Sequence, residues 1–157
     1  MRLLTLTLAA TLAAGAAFAN PVSYADVVFN EDGGVEASLT GVAGNPEEGA
    51  NIMKAKSIGN CVACHEITAL ADAPFHGNVG PILDGVADRW DATQLRGILV
   101  NAKMTYEGTV MPAYFKVDGY TRPGNAYTGK AAEGPLDPLL SAQQIEDVVA
   151  FLGTLKE

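Results

Sequence analysis

Cys61-Val62-Ala63-Cys64-His65 constrains this chain more than any other stretch. A Cys-x-x-Cys-His run is a site for covalent attachment of c-type haem. The chemistry needs that spacing. Two thiols within one helical turn form thioethers to the two vinyl groups of the macrocycle, and the imidazole one residue on lies under the iron as an axial ligand. Two plainer uses of the motif fit less well. A Cys-x-x-Cys redox pair does not need the histidine. A structural zinc site needs a fourth ligand, which the sequence does not obviously supply. Cys61 and Cys64 are also the chain's only cysteines.

The first 19 of the 157 residues read as a secretory leader. Arg2 is a minimal charged start, and Leu3 to Phe18 is apolar or small apart from Thr5, Thr7 and Thr11. Ala17-Phe18-Ala19 fits the small-x-small cleavage rule, so the mature chain is expected to begin at Asn20. This apolar run is shorter than the roughly 20 residues that span a bilayer. Export to the periplasm agrees with the motif, because c-type haem is attached outside the cytoplasm. Thioether formation would also consume two thiols that an oxidising compartment would otherwise join. Cleavage takes the formal charge from −8 to −9 as Arg2 leaves. So acidic a domain is a poor nucleic-acid binder. Its charge either steers it toward a basic protein partner or only keeps it soluble.

Residues 20–44 precede the motif's own domain, expected over 45–157. Gly33-Gly34 reads as a turn, and Val35 to Leu39 alternates enough for a short strand. The segment is either a loosely ordered terminus or an arm that packs on a partner subunit. A helix is expected from Asn45, with Pro46 at its first position and Glu48 completing the cap. Ile52 and Met53 would face inward, and Gly49 would let another helix cross closely. A loop over 66–80 contains Pro74, His76 and Gly77, and Gly80-Pro81 makes a rigid turn. The next helix starts at Asp91, with Gln94 completing a capping box and Leu95, Ile98, Leu99 and Ala102 forming its core stripe. Residues 116–140 show no periodicity, and a loop of that length is functional or disordered. Ser141 and Gln144 cap a last helix whose apolar stripe is Ile145, Val148, Val149 and Leu152.

His65 fills one axial position. The candidates for the other are His76, Met53, Met104, Met111 and water. His76 follows His65 by only 11 residues, a short path to the far face. Met53 and Met104 read as core residues. Met111 lies 46 residues past His65, after an intervening helix and on an irregular stretch stiffened by Pro112, so it is the favoured candidate. A Met/His pair raises the reduction potential and closes the iron to small substrates, which points to electron transfer. The free nitrogen of His65 needs an acceptor, and Pro81 offers a carbonyl. Lys54, Lys56 and Arg89 read singly as solvated charges, or together as a docking face or propionate partners.

Asn45 to His65, Gly80-Pro81, Met111-Pro112 and the final helix with Phe151 resemble class I cytochromes c. That resemblance implies an all-α fold in which the first and last helices cross at Gly49 beside Phe151. It implies also that the Pro81 carbonyl accepts from His65 and that Met111 is the distal ligand. More narrowly, five stretches resemble the SoxX-type monohaem subunits of SoxAX complexes. They are Gly59 to His65, Gly77 to Pro81, Gly85 to Trp90, Thr109 to Gly119 and Gln144 to Leu152. An N-terminal extension and a long loop before the last helix complete that pattern.

The narrower resemblance implies a place in an L-cysteine S-thiosulfotransferase. Such complexes join thiosulfate oxidatively to a cysteine of the SoxYZ carrier, with the chemistry on a SoxA-like cytochrome subunit. This chain would accept electrons at one covalently bound haem c and pass them to a soluble cytochrome c. It would not be catalytic alone. The alternatives are a free-standing monohaem electron shuttle and an exported thiol protein without haem.

Overall fold

The computed structural model describes residues 20–125 and 128–157, so the expected leader and cleavage site lie outside the described residues. Four α-helices form: α1 (Pro46–Lys54), α2 (Val86–Arg89), α3 (Ala92–Asn101) and α4 (Ala142–Leu152). Short 3-10 turns link them, and among the described residues there is no strand, only one isolated bridge between Gly124 and Ala131. The fold is all-α. No helix among the described residues is long and apolar enough to cross a membrane.

Each helix begins where its capping chemistry places it. The Asn45 side chain accepts from the amides of Glu47 and Glu48, and Pro46 takes the first position, where no amide is needed. The Glu48 side chain does not return the bond to Asn45. Instead the Asn45 amide donates to Asp147 on α4 at 2.8 Å. Asp91 with Gln94 and Ser141 with Gln144 both form complete capping boxes.

The core rests on α1 crossing α4. A Cβ built on Gly49 would stand 2.1 Å from the Asp147 carbonyl and 2.8 Å from the Cβ of Phe151. Only glycine permits that approach, and the crossing is where the resemblance placed it. All four residues of the α4 stripe are buried, as are Ile52 and Met53. The α3 stripe differs at one place. Leu95, Leu99 and Ala102 are buried, but Ile98 is half-buried and Val100 is enclosed instead. The helix packs on two sides, against α4 and against residues 33–35, and Val100 faces inward as a result.

Residues 20–44 fold onto this chain's own α3 and α4. The expected strand at Val35 to Leu39 is absent, because its backbone groups are taken elsewhere. The Val35 amide donates to Thr93, and the Leu39 amide donates to the Glu146 carboxylate. The turn at Gly33-Gly34 forms as expected, with Gly33 in the left-handed region at φ 81°. Gly97 lets it lie flat on α3, since a Cβ there would be 2.0 Å from the Gly33 carbonyl. Val35 and Leu39 join the main core, which therefore runs across residue 45. The fastening is a buried ion pair. Arg96 Nε and Nη2 donate to the two oxygens of Glu146 at 2.8 and 3.0 Å, and Nη1 donates to the Val35 carbonyl at 2.9 Å.

The long loop is pinned at both ends by Tyr114. It leaves after Phe115, and the Leu140 amide returns to the Tyr114 carbonyl at 2.9 Å.

Candidate haem site

The motif occupies a 3-10 turn, Cys61–Ala63, entered through Asn60 in the left-handed region at φ 50°. Asparagine tolerates that conformation where most residues do not. The turn sets Cys61 inward and leaves Cys64 exposed. Burial pushes the Cys61 thiol up to about 11, partly offset by the Tyr114 side chain beside it. Burial also raises the Tyr114 phenol. The Tyr114 hydroxyl donates to the Gly59 carbonyl at 3.2 Å, tying the 109–115 stretch to the residues just before Cys61.

His65 is clamped by the segment after the loop. The Gly77, Gly80 and Leu83 amides donate to the carbonyls of Val62, Cys64 and Glu66, so residues 77–83 run alongside the motif. A Cβ on Gly77 would be 2.0 Å from the Ala63 carbonyl, and one on Gly80 would be 2.3 Å from Cε1 of His65. The ring thus lies close against Gly80. Its Nδ1–H donates to the Pro81 carbonyl at 2.7 Å, which leaves the Nε2 lone pair as the one that can bind a metal. Next to it, Arg89 donates to the carbonyls of Ile82 and Asp84. The Asp84 carboxylate accepts from the Thr68 hydroxyl and amide, which holds it below the usual carboxylate range. A depressed carboxylate stabilises the fold above its unfolded pKa, and the contribution is lost as pH falls through the folded value. Asp84 is solvated, so this effect is small.

Gly80→Ala is expected to push the His65 ring off the Pro81 carbonyl, at a cost of about 1–3 kcal/mol for overpacking. Thermal denaturation of the haem-loaded protein measures that cost, and an unchanged midpoint would contradict the close contact.

The two histidines have different duties. The Ile67 amide donates to Nδ1 of His76 at 3.2 Å, and Nε2–H of His76 donates to the Leu70 carbonyl at 3.1 Å. Both nitrogens are engaged in holding the loop. Met53 is buried in the core, but Met104, expected there too, is half exposed. Met111 is half-buried against the core. Its amide donates to the Thr109 hydroxyl, and its carbonyl accepts from Lys103 Nζ at 2.8 Å. Three residues on, the Tyr114 and Phe115 amides donate to Leu99 and Val100 at the end of α3. Of the three cations that the sequence offers as a docking face, Lys54 pairs with Asp72 at 2.9 Å and Arg89 is spent on backbone carbonyls. Lys103 does not stand out in the sequence, and the Arg96–Glu146 pair leaves only a faint sign there.

This donor set fits haem c. Two thiols and an imidazole lie within one turn, the imidazole is held in the tautomer that can bind iron, and a bare Gly80 backbone backs it.

The cytochrome c family model matches residues 46–156. A comparison with curated proteins returned no match. Among solved structures, a chain in the crystal structure of SoxXA from P. pantotrophus is 61% identical, with a TM-score of 0.84, over 88% of this chain and 100% of that one.

Proposed function

This chain belongs to the cytochrome c family and carries one covalently bound haem c, and from that premise we propose that it is the electron-transfer subunit of a SoxAX-type L-cysteine S-thiosulfotransferase in the periplasm. The observation that carries the reading is the 61% identity to a chain of SoxXA along that chain's whole length. Its partner in the complex is then a SoxA-like cytochrome subunit.

In this reading Cys61 and Cys64 would form the thioethers, and His65 and Met111 would hold the iron. The haem iron supplies one-electron storage. The residues do the rest. The Pro81 carbonyl accepts a hydrogen bond from Nδ1–H of His65, which makes the Nε2 lone pair a better metal ligand and fixes the ring's orientation. Gly80 leaves room for the ring. Lys103 and Thr109 hold the backbone of Met111 from both sides. With His65 and Met111 both holding the iron, no position would be left on it for a substrate. With both cysteines consumed, no thiol is left to carry sulfur. Coupling of a SoxYZ cysteine thiol to thiosulfate releases two electrons and a proton as the sulfur–sulfur bond forms. That bond is made on the partner subunit. This chain takes the electrons one at a time and hands them to a soluble cytochrome c.

Gentle affinity purification from the native periplasm, followed by haem staining and mass analysis, tests the assignment. A stoichiometric second c-type cytochrome is the expected result. A lone monohaem protein, recovered under conditions that preserve such complexes, would instead make this chain a free-standing shuttle.

A further inference from the structure

Phe75 is 88% exposed and sits in the left-handed region at φ 63°. For a bulky residue that backbone is a genuine outlier, and an aromatic ring left in water gains nothing from burial. Nothing among the described residues rewards either feature. The loop around it is firm. Ala73 packs on the core and its amide donates to Leu70, while His76 is bonded through both nitrogens. Gly77 lies against Ala63. Phe75 is therefore held outward beside the exposed side of the motif, where Ala63 and Cys64 reach solvent. Val79, two residues past Gly77, is 67% exposed as well.

The two stretches around the ring are free of fixed charge in sequence, bordered by Lys56, Glu66, Asp72 and Asp84. Residues 57–65 and 73–83 contain no Asp, Glu, Lys or Arg, in a chain with 18 acidic and 10 basic residues. Charge depletion with an aromatic at the centre is the composition of a lasting interface core. Brief redox encounters are small and weak, and charges steer them.

We propose that Phe75 is the apolar anchor by which this chain seats on its permanent haem-bearing partner subunit, next to the Cys64 attachment edge. The inference rests on the subunit reading above. Strained conformations persist at sites where they serve a function, and here the strain presents the ring.

Phe75→Asn tests it in the haem-loaded protein, because asparagine tolerates the left-handed backbone. The dissociation constant for the cognate SoxA-type subunit is expected to rise by about 30-fold or more, the scale of an aromatic hot spot. The thermal midpoint of the free subunit should stay the same or rise. Phe75→Ala should lose affinity likewise. Unchanged affinity overturns the proposal, and so does a lowered midpoint, which would make the ring an internal support. Slower oxidation of the reduced subunit by a soluble c-type cytochrome, with subunit affinity intact, would assign the ring to that transient partner instead. A wild-type chain that fails to bind the SoxA-type subunit would overturn the subunit reading itself.

Discussion

Met111→Ala is expected to abolish the weak red charge-transfer band that marks a methionine–iron(III) bond, and to lower the reduction potential. Axial ligation spans about 0.8 V across haem proteins, so a fall on the order of 100 mV or more is the expected scale. The competing ligands differ in what they would have to give up. His76 would have to abandon bonds to Ile67 and Leu70 that hold its own loop. Met53 lies in the α1–α4 core, so its sulfur could move only by opening the crossing. Met104 is half exposed and three residues past the end of α3, which makes it the useful control. Met104→Ala should leave the band and the potential in place. If the band survives Met111→Ala, or disappears in Met104→Ala instead, the assignment of Met111 is wrong.

Sequence alone favours Met111 but leaves much around it unmarked, and the range of each signal explains the difference. Caps and turns are local. Asn45, Asp91 and Ser141 announce their helices within four residues, and the structure starts helices at those places. The motif is local as well. The Pro81 carbonyl is a candidate acceptor because proline has a fixed shape and the histidine needs one. Contacts between distant residues leave weaker traces. Thr93 and Glu146 capture the backbone of Val35 to Leu39, and neither lies near it in sequence. Alternation there suggests a strand, but the donors find helix-borne acceptors. The Arg96–Glu146 pair does leave one sign. Arg96 stands four residues before the buried Val100, and Glu146 three before the buried Val149. A charge on the apolar side of a helix implies a buried counter-charge. Read together, two such charges on two stripes point to each other. Phe75 leaves no sign in the sequence, because its backbone angle is visible only in three dimensions.

Arg96→Met is expected to be the most damaging single substitution outside the haem site. It strands the Glu146 carboxylate in the core, 5% exposed, and removes the donor to the Val35 carbonyl. Removing one partner of a buried pair costs about 3–5 kcal/mol. Replacing both by apolar residues is often nearly neutral, since the desolvation cost disappears with the attraction. Here it should not be. Glu146 also accepts from the Leu39 amide, and Arg96 also serves Val35, so Arg96→Met/Glu146→Leu leaves two backbone groups without partners. Each such group costs about 1–3 kcal/mol. The double variant should therefore recover only part of the loss. The damage should appear first in residues 20–44, as faster amide exchange at Val35 and Leu39 and early proteolysis there. The methionine–iron band should persist until the global transition, because α1, the motif and the Pro81 clamp do not depend on Arg96. Chemical denaturation of the haem-loaded single and double variants separates the outcomes. Full recovery in the double variant would mean that the pair does not fasten the extension. An unchanged midpoint in Arg96→Met would mean that the pair is not buried as the structure shows.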